Sequence, residues 1–206
     1  MSIDEAVRLT LQSALAEHPC GEGDTWAHVA LLQRIATDPL LRGLARGSTT
    51  IQQVSLSASP YTTLTMRPHT SPAVVLLRDY EFAASHRLAV EGLPDEANLA
   101  LFGKCSNPNG HGHNYRLRVA VDPGHGPDAL AVDLDAIVES SVLQHLDHKH
   151  LNLDTPYFSD RLPSVENIAI TIHELMAAAL DGSPLSFVGV RVWETDRTSA
   201  STSDRV

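Results

Sequence analysis

Cysteine is scarce in this chain, with only Cys20 and Cys105 among 206 residues, too few for a disulfide framework. Basic residues are outnumbered, 15 Lys and Arg against 25 Asp and Glu, for a net charge of -10. A nonspecific nucleic-acid binder needs the opposite balance, so nucleic acid is not an expected partner, although a local basic pocket could still hold a small anion. No run of about 18 apolar residues occurs, so no membrane-spanning helix is expected. The first residues, MSIDEAVRLTLQSALAE, are amphipathic and acidic and lack the basic head and apolar middle of a signal peptide. The expectation is a cytoplasmic protein whose cysteines stay reduced, leaving Cys105 available for chemistry.

What is present suffices to fold. Hydrophobic residues make up 43% and charged residues 19%, an ordinary globular balance at a length that buries a real core. Residues 79–87 and 114–122 alternate, with Tyr80, Phe82, Ala84 and His86 on one side of the first and Tyr115, Leu117, Val119 and Val121 on one side of the second. Period two predicts a strand for each. A turn cluster, VDPGHGPDA, precedes a helix predicted from Asp133 to about His145, with Leu134, Ile137, Val138 and Val142 on one face. Val165, Ile168, Ala169, Ile172, Leu175, Met176 and Ala179 predict a second helix, N-capped by Ser164 and stopped by Gly182. Residues 185–195 return to strand alternation, and the tail after them reads as frayed or edge-like. The order strand, strand, helix, helix, strand implies an α+β fold, an antiparallel sheet with helices on one face.

Residues 1–78 read as helices over 3–16 and 25–38, the latter broken at Asp38-Pro39, and strands over 51–66 and about 73–78. TWAHVALLQRI can be laid on SVENIAITIHEL, and QQVSLSASPYTT on GVRVWETDRTSA. This suggests a decayed partial repeat that lacks its leading strand pair; an unrelated helical extension is the alternative. In such a repeat Ala58 falls where Glu194 would be and the histidine motif is absent, so the copy has no second site. The division is therefore 1–78 as an N-terminal extension and 79–206 as the chemical domain. His18, Cys20 and His28 fit no compact ligand set.

Chemistry concentrates in KCSNPNGHGHNY, residues 104–115. On a strand His111 and His113 project from the same side, and the flanking Gly110 and Gly112 leave room for an ion. His86 offers a third neutral nitrogen, which leaves an open fourth position as in catalytic zinc. The plainer alternative is that some of the 11 histidines simply lie on a wet loop. Cys105 precedes a turn that could return its sulfur to the ion's ligand, against the usual fate of a lone cysteine as a small buried hydrophobe. Asp147 and His148 put a carboxylate and an imidazole at a helix end, where such a pair can set the protonation of a third group. Glu194 follows the inward positions Val188, Val190 and Val192, and a buried carboxylate needs N–H donors such as the edge of a pterin or guanine.

EFAASHRL, NLALFGKCSNPNGHGHNY, LDHKHLNLDTPYF, SVENIA and VWET, spread over 79–198, together resemble the 6-pyruvoyl-tetrahydropterin synthase family. The resemblance implies the tunnel fold (T-fold), units of four antiparallel strands and two helices assembled as a homo-oligomer, a hexamer or another trimer-based ring. It implies zinc (Zn2+) as cofactor on His86, His111 and His113. It also implies Cys105 with Asp147 and His148 as a catalytic triad, Glu194 as the pterin anchor, and Ser164 and Glu166 in the segment lining the pterin pocket. The implied reaction converts 7,8-dihydroneopterin triphosphate to 6-pyruvoyl-tetrahydropterin with elimination of triphosphate, without nicotinamide or flavin. Five residues between Cys105 and His111 are the spacing of the pyruvoyl-forming type. The 6-carboxy-tetrahydropterin synthase of the queuosine (7-deazaguanine) pathway, an aldolase-like side-chain cleavage and a non-catalytic zinc-binding assembly protein are the alternatives. Two departures from the family pattern stand out: Ser164-Val165 replaces two threonines, and His150 replaces an asparagine.

Overall fold

In a computed structural model of the chain, residues 9–10, 12–13, 16, 25–37, 52–67, 70, 73–124 and 132–206 are described. They form one sheet ordered β1 (Val54–Ser59), β2 (Thr62–Met66), β3 (Val74–His86), β4 (His111–Asp122), β6 (Ser186–Thr195) and β7 (Thr198–Ser201), with the short β5 (Lys149–His150) running parallel to the end of β3. All pairings along the main path are antiparallel. The helices are α1 (Thr25–Thr37), α2 (Asp95–Phe102), α3 (Leu134–Val138, carried on by a π-turn Glu139–Leu143 and a last turn Gln144–Leu146), α4 (Leu151–Asp154) and α5 (Val165–Ala179).

Alternation in β3 and β4 decides which face meets the helices. Phe82, Tyr115, Leu117, Val119, Val190 and Val192 pack against Val138, Val142, Ile168, Ile172 and Met176. Each such fully buried side chain contributes about 2–3 kcal/mol. A smaller core joins Val29 and Leu32 of α1 to Leu64, Met66 and Val74, and Leu76 touches both cores. Ser164 caps its helix as the sequence predicts, its Oγ accepting from Asn167 N at 3.4 Å, and Asp133, read only as a helix start, caps the other, its Oδ1 accepting from Ala136 N at 3.0 Å.

Several expectations are corrected. Residues 73–78 and 79–87 are not two strands; β3 runs unbroken through both, because Val74, Val75 and Leu77 are as buried as Phe82 and Ala84 beyond them. Of the two readings of the tail, frayed or edge-like, the edge holds: β7 is the outer strand paired with β6, Thr202 N donates to Val190 O at 2.9 Å, and Val206 packs by Val75, Leu77 and Ala120. Ala179, placed on the apolar stripe, is exposed, because Leu180, four residues after Met176, takes the core-facing position instead. α2 went unread, although Pro94 before Asp95 and Glu96 is a start signal. Of the helix expected over 3–16, residues 9–10, 12–13 and 16 are helical and the rest lie outside the described residues, as do Asp38 and Pro39.

The two helix–hairpin segments match in detail. In β1–β2 the register steps from Ser57↔Thr63 to Ser59↔Thr62, and in β6–β7 from Trp193↔Ser199 to Thr195↔Thr198. The same bulge before the same two-residue turn sets Ser59 against Thr195, and hence Ala58 against Glu194.

Candidate functional site

β3 and β4 pair in register from Leu76↔Val121 to His86↔His111, with Ala84↔His113 two steps earlier. Same-face alternation therefore delivers His86, His111 and His113 to one corner of the sheet. Their nitrogens all lie within 4.8 Å of one another. His86 Nε2 faces His111 Nε2 at 3.1 Å, close to the roughly 3.3 Å donor–donor edge of a tetrahedron with metal–nitrogen bonds of about 2.0–2.1 Å.

The orientation of His86 is fixed from behind. Its Nδ1–H donates to Pro163 O at 2.6 Å, which leaves the Nε2 lone pair facing the cluster. The ring is fully buried, and burial pushes its pKa down to about 4, opposed by the Pro163 carbonyl and reinforced by His111, His113 and His150. Burial also lowers His113, with Glu194 acting against it. His113 Nε2 is buried without a hydrogen-bond partner, as a neutral nitrogen awaiting an ion would be. These residues fit a borderline, nitrogen-preferring divalent metal with an open position.

Glu194, at the end of β6, comes within 3.4 Å of His86 Nε2 and 3.7 Å of His113 Nε2 with its side chain 17% exposed. Cys105 sits half-buried in the 3-10 turn Gly103–Ser106, which Leu88 N ties down by donating to Cys105 O at 2.8 Å. Tyr115 is a residue the sequence reading left in the core. Its hydroxyl is buried without a partner, and burial, then Glu194 and Cys105, raise its pKa. One phenol thus senses both the thiol and the carboxylate; its place two residues after His113 was the available signal.

Asp147 and His148 lie at the end of α3. Asp147 Oδ1 accepts from Ala83 N at 2.8 Å and Oδ2 meets His148 Nδ1 at 2.8 Å. Burial works to raise the Asp147 pKa, but hydrogen bonds from Ala83 N–H and His148 outweigh it and hold the carboxyl below its usual range. His148 takes φ +56, held by His148 N donating to Ala83 O at 2.6 Å, and its side chain is 83% exposed. It lines a cavity of about 550 Å³ together with His113, Lys149 and His150. Among the described residues no hydrogen bond joins Cys105 to this pair.

Ser164 caps α5 directly after the carbonyl that orients His86, whereas Glu166 is exposed in the first turn. Gly110, at φ +70, has no room for a side chain, since a Cβ would fall 2.9 Å from His150 Nε2 and 3.0 Å from His86 O.

Residues 76–205 match the model of the 6-pyruvoyl tetrahydropterin synthase family. The chain is 46% identical over 123 residues to 6-pyruvoyl tetrahydrobiopterin synthase of Homo sapiens, an overlap of 58% of this chain and 83% of the human one. To that of Drosophila melanogaster it is 34% identical over 134 residues, 63% of this chain and 79% of the other. The structure of the Caenorhabditis elegans 6-pyruvoyl tetrahydropterin synthase matches with a TM-score of 0.54 at 33% identity, covering 63% of this chain and 94% of that one.

Proposed function

Because the chain belongs to the 6-pyruvoyl tetrahydropterin synthase family, we propose that it is a zinc-dependent lyase that converts 7,8-dihydroneopterin triphosphate to 6-pyruvoyl-tetrahydropterin with loss of triphosphate. The observation that carries this reading is the corner where three imidazoles converge, one neutral and oriented by Pro163 O, beside the Glu194 carboxylate. In it His86, His111 and His113 hold the metal, which when bound supplies Lewis acidity to the substrate's side-chain hydroxyls.

The protein's own groups do the rest. Glu194 accepts N–H donors from the pterin ring edge and so places the side chain next to the imidazoles. Ser164 and Glu166 border that pocket from the start of α5. Cys105, as thiolate, takes a proton from the substrate side chain, and the Asp147–His148 pair returns one elsewhere. Oxidation level thereby moves from side chain to ring with no redox cofactor. The orphaned buried Tyr115 hydroxyl lies in the same electrostatic field. The working form is read as a cytoplasmic homo-oligomer, and residues 1–78 as a non-catalytic partial copy, consistent with the shared hairpin register and with Ala58 at the Glu194 position.

The test is chromatographic and mass analysis of products after incubating zinc-loaded protein with 7,8-dihydroneopterin triphosphate. Pyruvoyl product with released triphosphate is expected. Carboxy product with acetaldehyde would move the chain to the deazaguanine branch, and absence of turnover with zinc bound would leave a binding protein.

A further inference from the structure

We propose that the two outer strands of the sheet, β1 and β7, pair with each other between two copies of this chain and close them into a two-chain ring. The inference stands apart from the reaction assigned above and rests on strand edges alone. β2 corresponds to β7, since both are the second strand of a hairpin with the same bulge and turn, each preceded by a helix. β2 already lies along β3, from Thr62↔Arg78 to Met66↔Val74. Within one chain, then, a strand of the β7 type occupies that part of the β3 edge, and Arg78 anchors it through a hydrogen bond to Thr62 Oγ1.

A ring built by β7 of one copy docking on β3 of the next is therefore blocked, and the count expected for four-stranded units does not carry over. The outer edges that remain, with no strand against them among the described residues, are those of β1 and β7. Six strands alternate in direction along the path, so β1 and β7 run in opposite senses. Laying β7 of one copy on β1 of another gives an antiparallel pair, and a half-turn rotation repeats it at the other end, using every main-path edge.

The sequences of the two edges point the same way. An edge meant to stay open is guarded by Lys, Pro or inward charges. Here the strands read VSLSAS and TSAS, with no charge in either, in a chain with 40 charged residues (15 + 25). The bulges sit beside the turns, so Val54–Ser57 remains regular and matches the four residues of β7 in length.

Native mass spectrometry of the full chain tests the proposal on wild type and on two edge variants, Ser55→Lys with Ser57→Lys in β1, and Thr198→Lys with Ser201→Lys in β7. All four positions are exposed, and circular dichroism checks that the variants fold. Two chains are expected for wild type and one for each variant. Hydrogen exchange on wild type gives a second reading that needs no substitution: β1 and β7 amides should be protected at high protein concentration and lose protection together on dilution. A wild-type mass of one or three chains, variants that remain at two, or β1 and β7 amides whose exchange ignores concentration would overturn it.

Discussion

The helix–hairpin α1–β1–β2 and the helix–hairpin α5–β6–β7 share a bulge and a turn, yet only the second borders a candidate site. The difference lies in what stands beside each hairpin. β6 runs along β4, so Glu194 falls against His86 and His113. β1 has no such neighbour among the described residues, and its equivalent position, Ala58, faces a cavity of about 360 Å³ bounded by His28, Thr62, Arg78 and Asp135. Backbone geometry alone is thus not enough; the β3–β4 ends supply the donors.

The sharpest way to erase the difference is His113→Ala. It should abolish metal stoichiometry and turnover together, read by elemental analysis and product assay, leaving the second hairpin as inert as the first. Cys105→Ala should lower turnover by about 10²–10⁴ while the bound metal stays, a loss typical of removing a proton carrier; a fully active variant would remove the thiol from the reaction. Next comes pH. His86 is held near 4 in the fold against 6.5 when unfolded, so between those values the unfolded chain binds the extra proton. Stability of the metal-free protein is therefore whole above pH 6.5 and falls by up to about 3 kcal/mol toward pH 4. Denaturant melts across that window check it, and in His86→Phe this part of the slope should vanish. Glu194→Gln should raise KM for the pterin by about tenfold to hundredfold, as loss of hydrogen bonds to a charged acceptor does, with metal content unchanged. Smallest of all is the converse, Ala58→Glu: metal content, turnover and, within about 0.5 kcal/mol, stability should stay put.

The sequence already showed the histidine corner because period-two alternation converts His-x-His into a shared face, and His86 lies on the same face of the paired strand. It showed the two long helices through their apolar stripes and caps. It could not show that 73–78 and 79–87 are one strand, because Val74–Leu77 is an unbroken apolar run whereas 79–87 alternates, and Asp79, a turn-forming residue type, stands at the join. Nor could it show the left-handed backbone of His148, which the hydrogen bonds with Ala83 impose from across the chain. Tyr115 was legible only as a core residue; its orphaned hydroxyl depends on what β6 and the 3-10 turn bring near it.

β3 carries Arg78 in its first half, where β2 ends its pairing, and His86 at its far end, both on the helix-facing side. Eight residues of extended chain separate them by about 26 Å, some three screening lengths in physiological salt. Exposed charges on the added N-terminal hairpin are therefore largely screened from the histidine corner. Whatever the hairpin does to the chemistry there arrives chiefly by mechanics, as a strand held straight or allowed to shift, and a change of charge on its exposed positions should move the corner's proton affinities little.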